Sequence, residues 1–392
     1  MAFARSGSKV QSKINATVYG AQFCGKSTYG VSLAKLKRPD GKPFRVLVCD
    51  AEMGSVDEIL NTFEEEGINL DNIYIVYSQS LEEISYYIDL AANHKDIYQL
   101  DSDGNETSEL VLDADGEPFH PDALLIDGST IIKMACQQSL LNLSRKRARV
   151  RAKNNGLVGE EKQVAIDSAS LEMKDWGNLA YSGQSLVLNL AASGLHWILT
   201  CREKEVTQNK MVNGTIQIIH TGQYEPDSFK GVAYNSKTIM RFFRDPENPD
   251  VVKMIVEKDR TGTYAPGQIV ENPSILDFQP LIDKQIGRNF TPKNTMEQAI
   301  EIESKMYQRQ NGMSDEEISD TSSANDSVQQ DAATDPVEIK KEIKKNHSTM
   351  NPAQRSEFSA ALKKNDLPTA ISKVEDANIL NRILEISREV LE

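Results

Sequence analysis

From residue 14 to about residue 200, short runs of aliphatic and β-branched residues alternate with segments whose apolar positions recur every three or four residues. The runs at 14–19, 45–50, 72–77, 122–127 and 195–201 read as buried strands. The segments at 26–36, 55–66, 81–94, 130–143 and 169–193 read as helices. Strand–helix alternation of this kind predicts an α/β fold with a mainly parallel sheet flanked by helices. After residue 201 the pattern changes to strands with turns at 214–219, 237–243 and 251–257, expected as antiparallel additions at the sheet edge. Residues 98–120 are acidic and carry Asp-Gly pairs at 103–104 and 115–116, which predicts an inserted hairpin.

The pattern also divides the chain. A flexible start over 1–12 precedes one domain over 13–292, and a helix is expected at 293–310. Residues 311–336 are polar, and 315–335 hold seven acidic groups with no basic one, so a disordered linker is expected there. Beyond it, Phe358, Ala361 and Leu362 form one apolar stripe, and Ile379, Ile383, Ile386 and Val390 form another. The region 337–392 therefore reads as a small helical module that needs good packing or a protein partner to be stable.

Composition narrows the classes. The 392 residues carry a net charge of −14, which argues against a uniformly basic nucleic-acid binder. Cys24, Cys49, Cys136 and Cys201 are widely spaced and include no C-x-x-C pair, as expected of reduced thiols rather than a zinc site. The first residues lack an apolar leader-like run, and no run approaches 18 apolar residues. The sequence thus predicts neither secretion nor a membrane span, and a cytoplasmic location.

The most specific motif follows the first strand. Gly20, Ala21, Gln22, Phe23, Cys24, Gly25, Lys26, Ser27 and Thr28 make a complete G-x-x-x-x-G-K-S phosphate-binding loop between a strand and a helix. The glycines let successive main-chain N–H groups turn inward toward phosphate oxygens, and the helix N-terminus adds its dipole. Lys26 supplies a point charge between the outer phosphates, and the Ser27 hydroxyl is placed to ligate Mg²⁺. The motif implies a nucleoside triphosphate, with ATP and Mg²⁺ as the expected cofactors.

Two further strands end in carboxylates. Residues 123–127 end in Asp127, as a Walker B strand does, and this strand is expected beside the P-loop strand with Asp127 aimed at the metal shell. Residues 46–50 end in Asp50, with Glu52 two positions on. Strand–Asp-Ala-Glu downstream of a P-loop resembles the RecA-like ATPases, and residues 10 to about 270 resemble the RecA-like P-loop proteins of bacteriophages, some of which act in annealing or recombination. The resemblance implies that Glu52 polarises the attacking water while Asp50 is polar or structural support. It implies that Lys258 and Arg260, in Glu257-Lys258-Asp259-Arg260-Thr261-Gly262, reach a neighbouring subunit's nucleotide, although a surface turn fits the same residues. Thr200, with Arg202 next, stands where a γ-phosphate sensor is expected, although RecA itself has glutamine there.

In such proteins the loops after the Walker B helix and after the sensor strand bind DNA. Here the first holds Arg145, Lys146, Arg147, Arg149, Arg151 and Lys153, six cations without an acid. A flexible loop tracking a phosphate backbone fits this composition, and so does a solvated basic helix end. The second, 202–222, contributes Arg202 and Lys204. The resulting expectation is a homo-oligomeric, ring- or filament-forming ATPase acting on single-stranded DNA in recombination, annealing or replication. The alternatives are a replicative helicase or loader, and a nucleotide-switched interaction protein that does not touch DNA.

Overall fold

The computed structural model describes residues 6–310 apart from 103, 213–214, 285, 289 and 291–293, and short stretches beyond 310, the longest being the helix Ala377–Glu389. The chain divides into two units, Met1–Thr295 and Met296–Glu392. The expected linker at 311–336 lies outside the described residues.

The first unit opens with β1 (Asn15–Gly20), α1 (Lys26–Val31), β2 (Val46–Asp50), α2 (Asp57–Glu65), β3 (Ile73–Tyr77) and α3 (Leu81–Ala92). A small hairpin follows, β4 (Tyr98–Leu100) with β5 (Glu106–Leu110), as the Asp-Gly pairs predict. The core resumes with β6 (Ala123–Asp127), α4 (Ser129–Asn154), α5 (Gly159–Asp167), α6 (Met173–Ala192) and β7 (His196–Val212). It closes with β8 (Thr215–Asp227), α7 (Val232–Asn235), β9 (Thr238–Arg244), β10 (Val252–Asp259), β11 (Ile269–Glu271) and α8 (Gln279–Asp283). The N-terminal segment is tied to the unit where Val10 bridges Phe290.

The sheet order is β11-β10-β9-β1-β7-β6-β2-β3, with β8 paired to β7. From β9 to β3 every neighbouring pair is parallel, and β10 and β11 are added antiparallel. This is the α/β fold that the strand–helix alternation predicts, a mainly parallel sheet flanked by helices. Two expectations need correction. The Asp127 strand does not lie beside the P-loop strand, because β7 separates β6 from β1. The strand over 238–244 is not an antiparallel edge addition but runs parallel to β1 inside the sheet.

Both faces of the sheet are covered, so its strands read as unbroken apolar runs. Ala16, Val18, Val48, Leu125 and Ile198 point to one face, where Val31, Phe63 and Ile282 from α1, α2 and α8 meet them. Leu47, Leu124, Ile126, Trp197 and Leu199 point to the other, against Ile84, Ile132 and Leu186 from α3, α4 and α6. Gly20 ends β1 at φ 150°, and a Cβ there would stand 2.0 Å from the Phe242 carbonyl oxygen of β9. Only glycine lets the chain leave the sheet at that point.

The second region expected to meet DNA, 202–222, is a two-stranded ribbon, since β7 runs on past the sheet and pairs with β8 alone. The first is not a loop either. α4 continues through the six cations to Asn154. Arginine, lysine and alanine are good helix formers, and no breaker precedes Asn154-Asn155-Gly156. Acids from a distant segment also hold the helix. Arg147 reaches Asp175 at 2.6 Å and Arg151 reaches Glu172 at 2.7 Å. Glu172 and Asp175 together form the capping box that starts α6.

In the second unit, α9 (Met296–Gln310) and α10 (Ala377–Glu389) are the longest described helices. Phe358, Leu362, Leu380, Ile383 and Leu384 are buried together, with Ile379, Ile386 and Val390 packed against them. The two apolar stripes read from sequence therefore share one core.

His196 begins β7 in the first unit's interior, where its Nδ1 accepts the Ile14 N–H at 3.2 Å. Burial first, then the nearby Lys13 and Lys237, hold its pKa well below the ordinary value. The unfolded chain takes up a proton near pH 6.5 that the native ring refuses. Stability is therefore complete above that pH and falls below it, by up to about 1.4 kcal/mol per pH unit from this group. Urea denaturation from pH 7 to pH 5 should show that slope, and His196→Asn should flatten it.

Candidate nucleotide-binding site

The loop after β1 and the tips of β2, β6 and β7 enclose a cleft of about 550 Å³ lined by Lys26, Ser27, Thr28, Glu52, Ser55, Asp127, Thr200 and Arg202. Gln22, Phe23 and Gly25 complete the lining on the loop side. The P-loop, the two strand-end carboxylates and the sensor candidate are thus brought together, although 180 residues separate Gly20 from Thr200.

The loop is shaped by its backbone. Gly25 adopts φ 80° as the residue before α1, and Tyr29 N–H already bonds the Gly25 carbonyl at 2.9 Å. The N–H groups of the first turn have no carbonyl of their own helix to bind, so they remain for an anion. Phe23 also lies at positive φ, its side chain 85% exposed, and its carbonyl accepts from Arg244 of β9 at 2.7 Å. The Lys26 ammonium rests 2.5 Å from the Ala21 carbonyl, across the mouth of the loop. Cys24 is buried, its Sγ 2.9 Å from the same carbonyl, and burial raises its pKa. It is a neutral thiol packing under the loop.

The carboxylates divide the work. Asp50 is fully buried, and its Oδ1 accepts the N–H groups of Glu52 and Met53 at 2.9 and 3.1 Å. Its Oδ2 accepts those of Gly54 and Ser55 at 2.8 and 2.9 Å. The aspartate is therefore the scaffold of the turn that presents Glu52, a structural role the sequence reading left beside a merely polar one. Asp127 is buried and accepts hydroxyls from Ser55 and Thr200. The Thr200 hydroxyl accepts the Gly128 N–H at 2.9 Å. Ser55 also touches Asp50 at 3.1 Å, so a single chain of hydrogen bonds joins the tips of β2, β6 and β7. Sequence reasoning missed Ser55. Its signal was the small hydroxyl three residues past Glu52.

Glu52 is half-exposed in the cleft, 3.5 Å from the Arg202 guanidinium. Arg202 pairs in register with Gly20, so it belongs to this cleft rather than to an outlying track. Lys204 lies one step along the ribbon, 3.1 Å from Glu225. Of the six α4 cations, Arg147 and Arg151 are bound to Glu172 and Asp175, whereas Arg145, Lys146, Arg149 and Lys153 are exposed. Lys258 and Arg260 stand elsewhere. The end of β10 that leads to them pairs with Thr238 and Ile239, at the end of the strands away from the P-loop. The Lys258 ammonium is held at 3.0 Å by the carbonyls of Ala233 and Tyr234, while Arg260 is exposed. Burial, then Arg260, lowers the Lys258 pKa.

The donor set fits a magnesium-bound polyphosphate. Inward N–H groups and an ammonium face a hydroxyl and a buried carboxylate. Among the described residues no cluster of three His, Cys, Asp or Glu forms a separate metal cage, and Mg²⁺ sites that share phosphate oxygens do not need one. No described helix is long and apolar enough to cross a membrane.

No protein-family model matches the chain, and no curated protein matches it. Among solved structures it is similar to a KaiC-like protein from the hyperthermophilic archaeon Pyrococcus horikoshii, at 12% identity over 68% of this chain and 99% of that one, with a TM-score of 0.33. A likeness that loose adds nothing to the topology and the site described above.

Asp50→Asn would turn an amide NH₂ toward N–H groups that now meet a carboxylate oxygen. The expected loss is about 2–3 kcal/mol in urea denaturation. Unchanged stability would mean that the turn is held by other contacts.

Proposed function

We propose that this chain binds Mg-ATP and hydrolyses it, and that it works as an oligomer on single-stranded DNA in recombination, annealing or replication. The single observation carrying the nucleotide reading is the convergence of Lys26, Ser27, Asp127 and Glu52 on one cleft at the C-terminal ends of parallel strands.

Each residue then has a physical task. The amides of 21–28 and Lys26 hold the phosphates in place, which accounts for much of the catalysis in phosphoryl transfer. Ser27 would hold Mg²⁺ directly and Asp127 through water. The ion, when bound, neutralises charge on the β and γ oxygens. Glu52, fixed by the Asp50 turn, orients water and accepts its proton. Thr200, hydrogen-bonded to Asp127 and Gly128, reports the state of the cleft to β7 and the ribbon. Lys258 and Arg260 cannot serve their own subunit's cleft from the far end of the sheet. In a head-to-tail oligomer they would serve a neighbour's phosphates, a task that the exposed Arg260 suits better than the tethered Lys258.

The DNA half of the proposal is supported by the cationic stripe Arg145, Lys146, Arg149 and Lys153 on an ordered helix. Four outward cations free of the internal ion pairs suit a phosphate backbone and carry no base preference. A partner-only role leaves them unexplained, and ATP turnover indifferent to single-stranded DNA would favour that role.

Four variants test the proposal. Lys26→Ala should abolish Mg-ATP binding, whereas Glu52→Gln should keep binding and lose about 10²–10⁴-fold in turnover. Alanine at Arg145, Lys146, Arg149 and Lys153 together should weaken DNA binding across all sequences and flatten its salt dependence. Arg147→Ala should cost stability instead. Wild-type protein without ATP hydrolysis in the presence of single-stranded DNA would contradict the proposal.

A further inference from the structure

A second cleft, of about 740 Å³, opens on the helical face of the sheet away from the phosphate loop. Its walls come from α4 (Lys133, Gln137), α6 (Trp176, Leu179), the foot of the ribbon and the segment 228–233. The inner surface is apolar, with Leu179, Phe229 and Val232 all buried. Trp176 lies at its edge with 49% of its surface exposed. A tryptophan left half in water beside an apolar hollow presents a flat π-surface for a planar ligand.

The charge around the hollow selects the ligand further. Lys133, Lys204 and Lys230 line it against one acid, Glu225. Lys133 is satisfied by Asp227 at 2.7 Å and Lys204 by Glu225 at 3.1 Å. Lys230 is exposed, and no ion pair among the described residues engages it. One uncommitted cation beside one aromatic face matches a single base with a single flanking phosphate. It does not match a free triphosphate, which needs the denser donor set of the first cleft. We propose that this hollow receives an unstacked base of single-stranded nucleic acid, with the base against Trp176 and the adjacent phosphate on Lys230. The inference rests on the DNA half of the proposed function and names the place of base contact.

The position gives the contact a consequence. Ser129 bonds Ser228 at 2.7 Å, and the Thr130 hydroxyl donates to the Asp227 carbonyl at 2.6 Å. The same Thr130 hydroxyl accepts the Arg202 N–H at 2.9 Å. The rim of the hollow is thus hydrogen-bonded to the helix that follows Asp127 and to the residue facing Glu52. Strand binding and phosphate binding bear on the same few bonds, so whatever coupling one exerts on the other is returned in equal measure.

The chain has two tryptophans, and Trp197 is fully buried under α6. Intrinsic fluorescence therefore reports on Trp176 over a constant background. A dye-labelled oligo(dT) of about 16 nucleotides supplies anisotropy on the same full-length protein. The strand should quench tryptophan emission as it binds, an abasic strand of equal length should bind without quenching, and dTMP, one base and one phosphate without the rest of the strand, should quench only at far higher nucleotide concentration. Trp176→Phe should remove the quench. Trp176→Ala should weaken binding by about tenfold, and the surface variant Lys230→Glu should weaken it and lower the salt slope. Tight binding by wild type without a change in Trp176 emission, equal quenching by the abasic strand, or undiminished affinity in Trp176→Ala and Lys230→Glu would overturn the base site while leaving the DNA reading intact. Failure of wild type to bind the strand at all would sink the DNA reading and the base site with it.

Discussion

The architecture of the nucleotide cleft depends on two buried carboxylates that never leave their strands. Asp50 spends both oxygens on four main-chain N–H groups and so holds the turn that carries Glu52. Asp127 takes hydroxyls from the neighbouring strands on both sides. Buried charge is costly unless it is fully hydrogen-bonded, and here the bonding also fixes three strand tips relative to one another. Without that network the tips of β2, β6 and β7 would be independent loop starts, and the P-loop would face no ordered partner.

The strand inserted between β1 and β6 matters for the same reason. It places Thr200 between the phosphate loop and Asp127, so one short side chain touches the metal-side carboxylate while its backbone leads straight into the ribbon. Arg202, two residues on, faces Glu52, and its N–H is held by Thr130 of α4. Events at the phosphates are therefore one or two hydrogen bonds from both elements expected to meet a nucleic acid. Glycine at 20 is the steric condition for this arrangement, since the chain must pass within contact distance of the Phe242 carbonyl before it can turn.

Much of this was legible in the residues. The P-loop, the five core strands and the two strand-end acids are local patterns, and they fall within a residue or two of where the periodicity puts them, except that the strand expected to end at 201 runs on to Val212. What failed was non-local. The order of strands is set by crossover connections, so nothing in 123–127 reveals that 196–201 lies between it and β1. Residues 238–244 look like any edge strand, yet 228–237 carry the chain back across the sheet and make the pairing parallel. The cationic run was expected as a loop because the resemblance places one there, and the other reading, a solvated basic helix end, is the one the fold takes. Glu172 and Asp175, more than twenty residues away, neutralise two of them and let intrinsic helix propensity win. Nothing in the sequence singles out Trp176, and only the fold sets it on one cleft with Lys230.

The direct test of the account is calorimetric titration of the folded full-length protein with ATP, ADP and AMP in magnesium. A site built from loop amides, Lys26 and Ser27 should give saturable heat with ATP and ADP, none with AMP, and none with any of the three once magnesium is chelated and Lys26 replaced. Equal heats for AMP and ATP, or no heat with ATP, would contradict a phosphate-centred site.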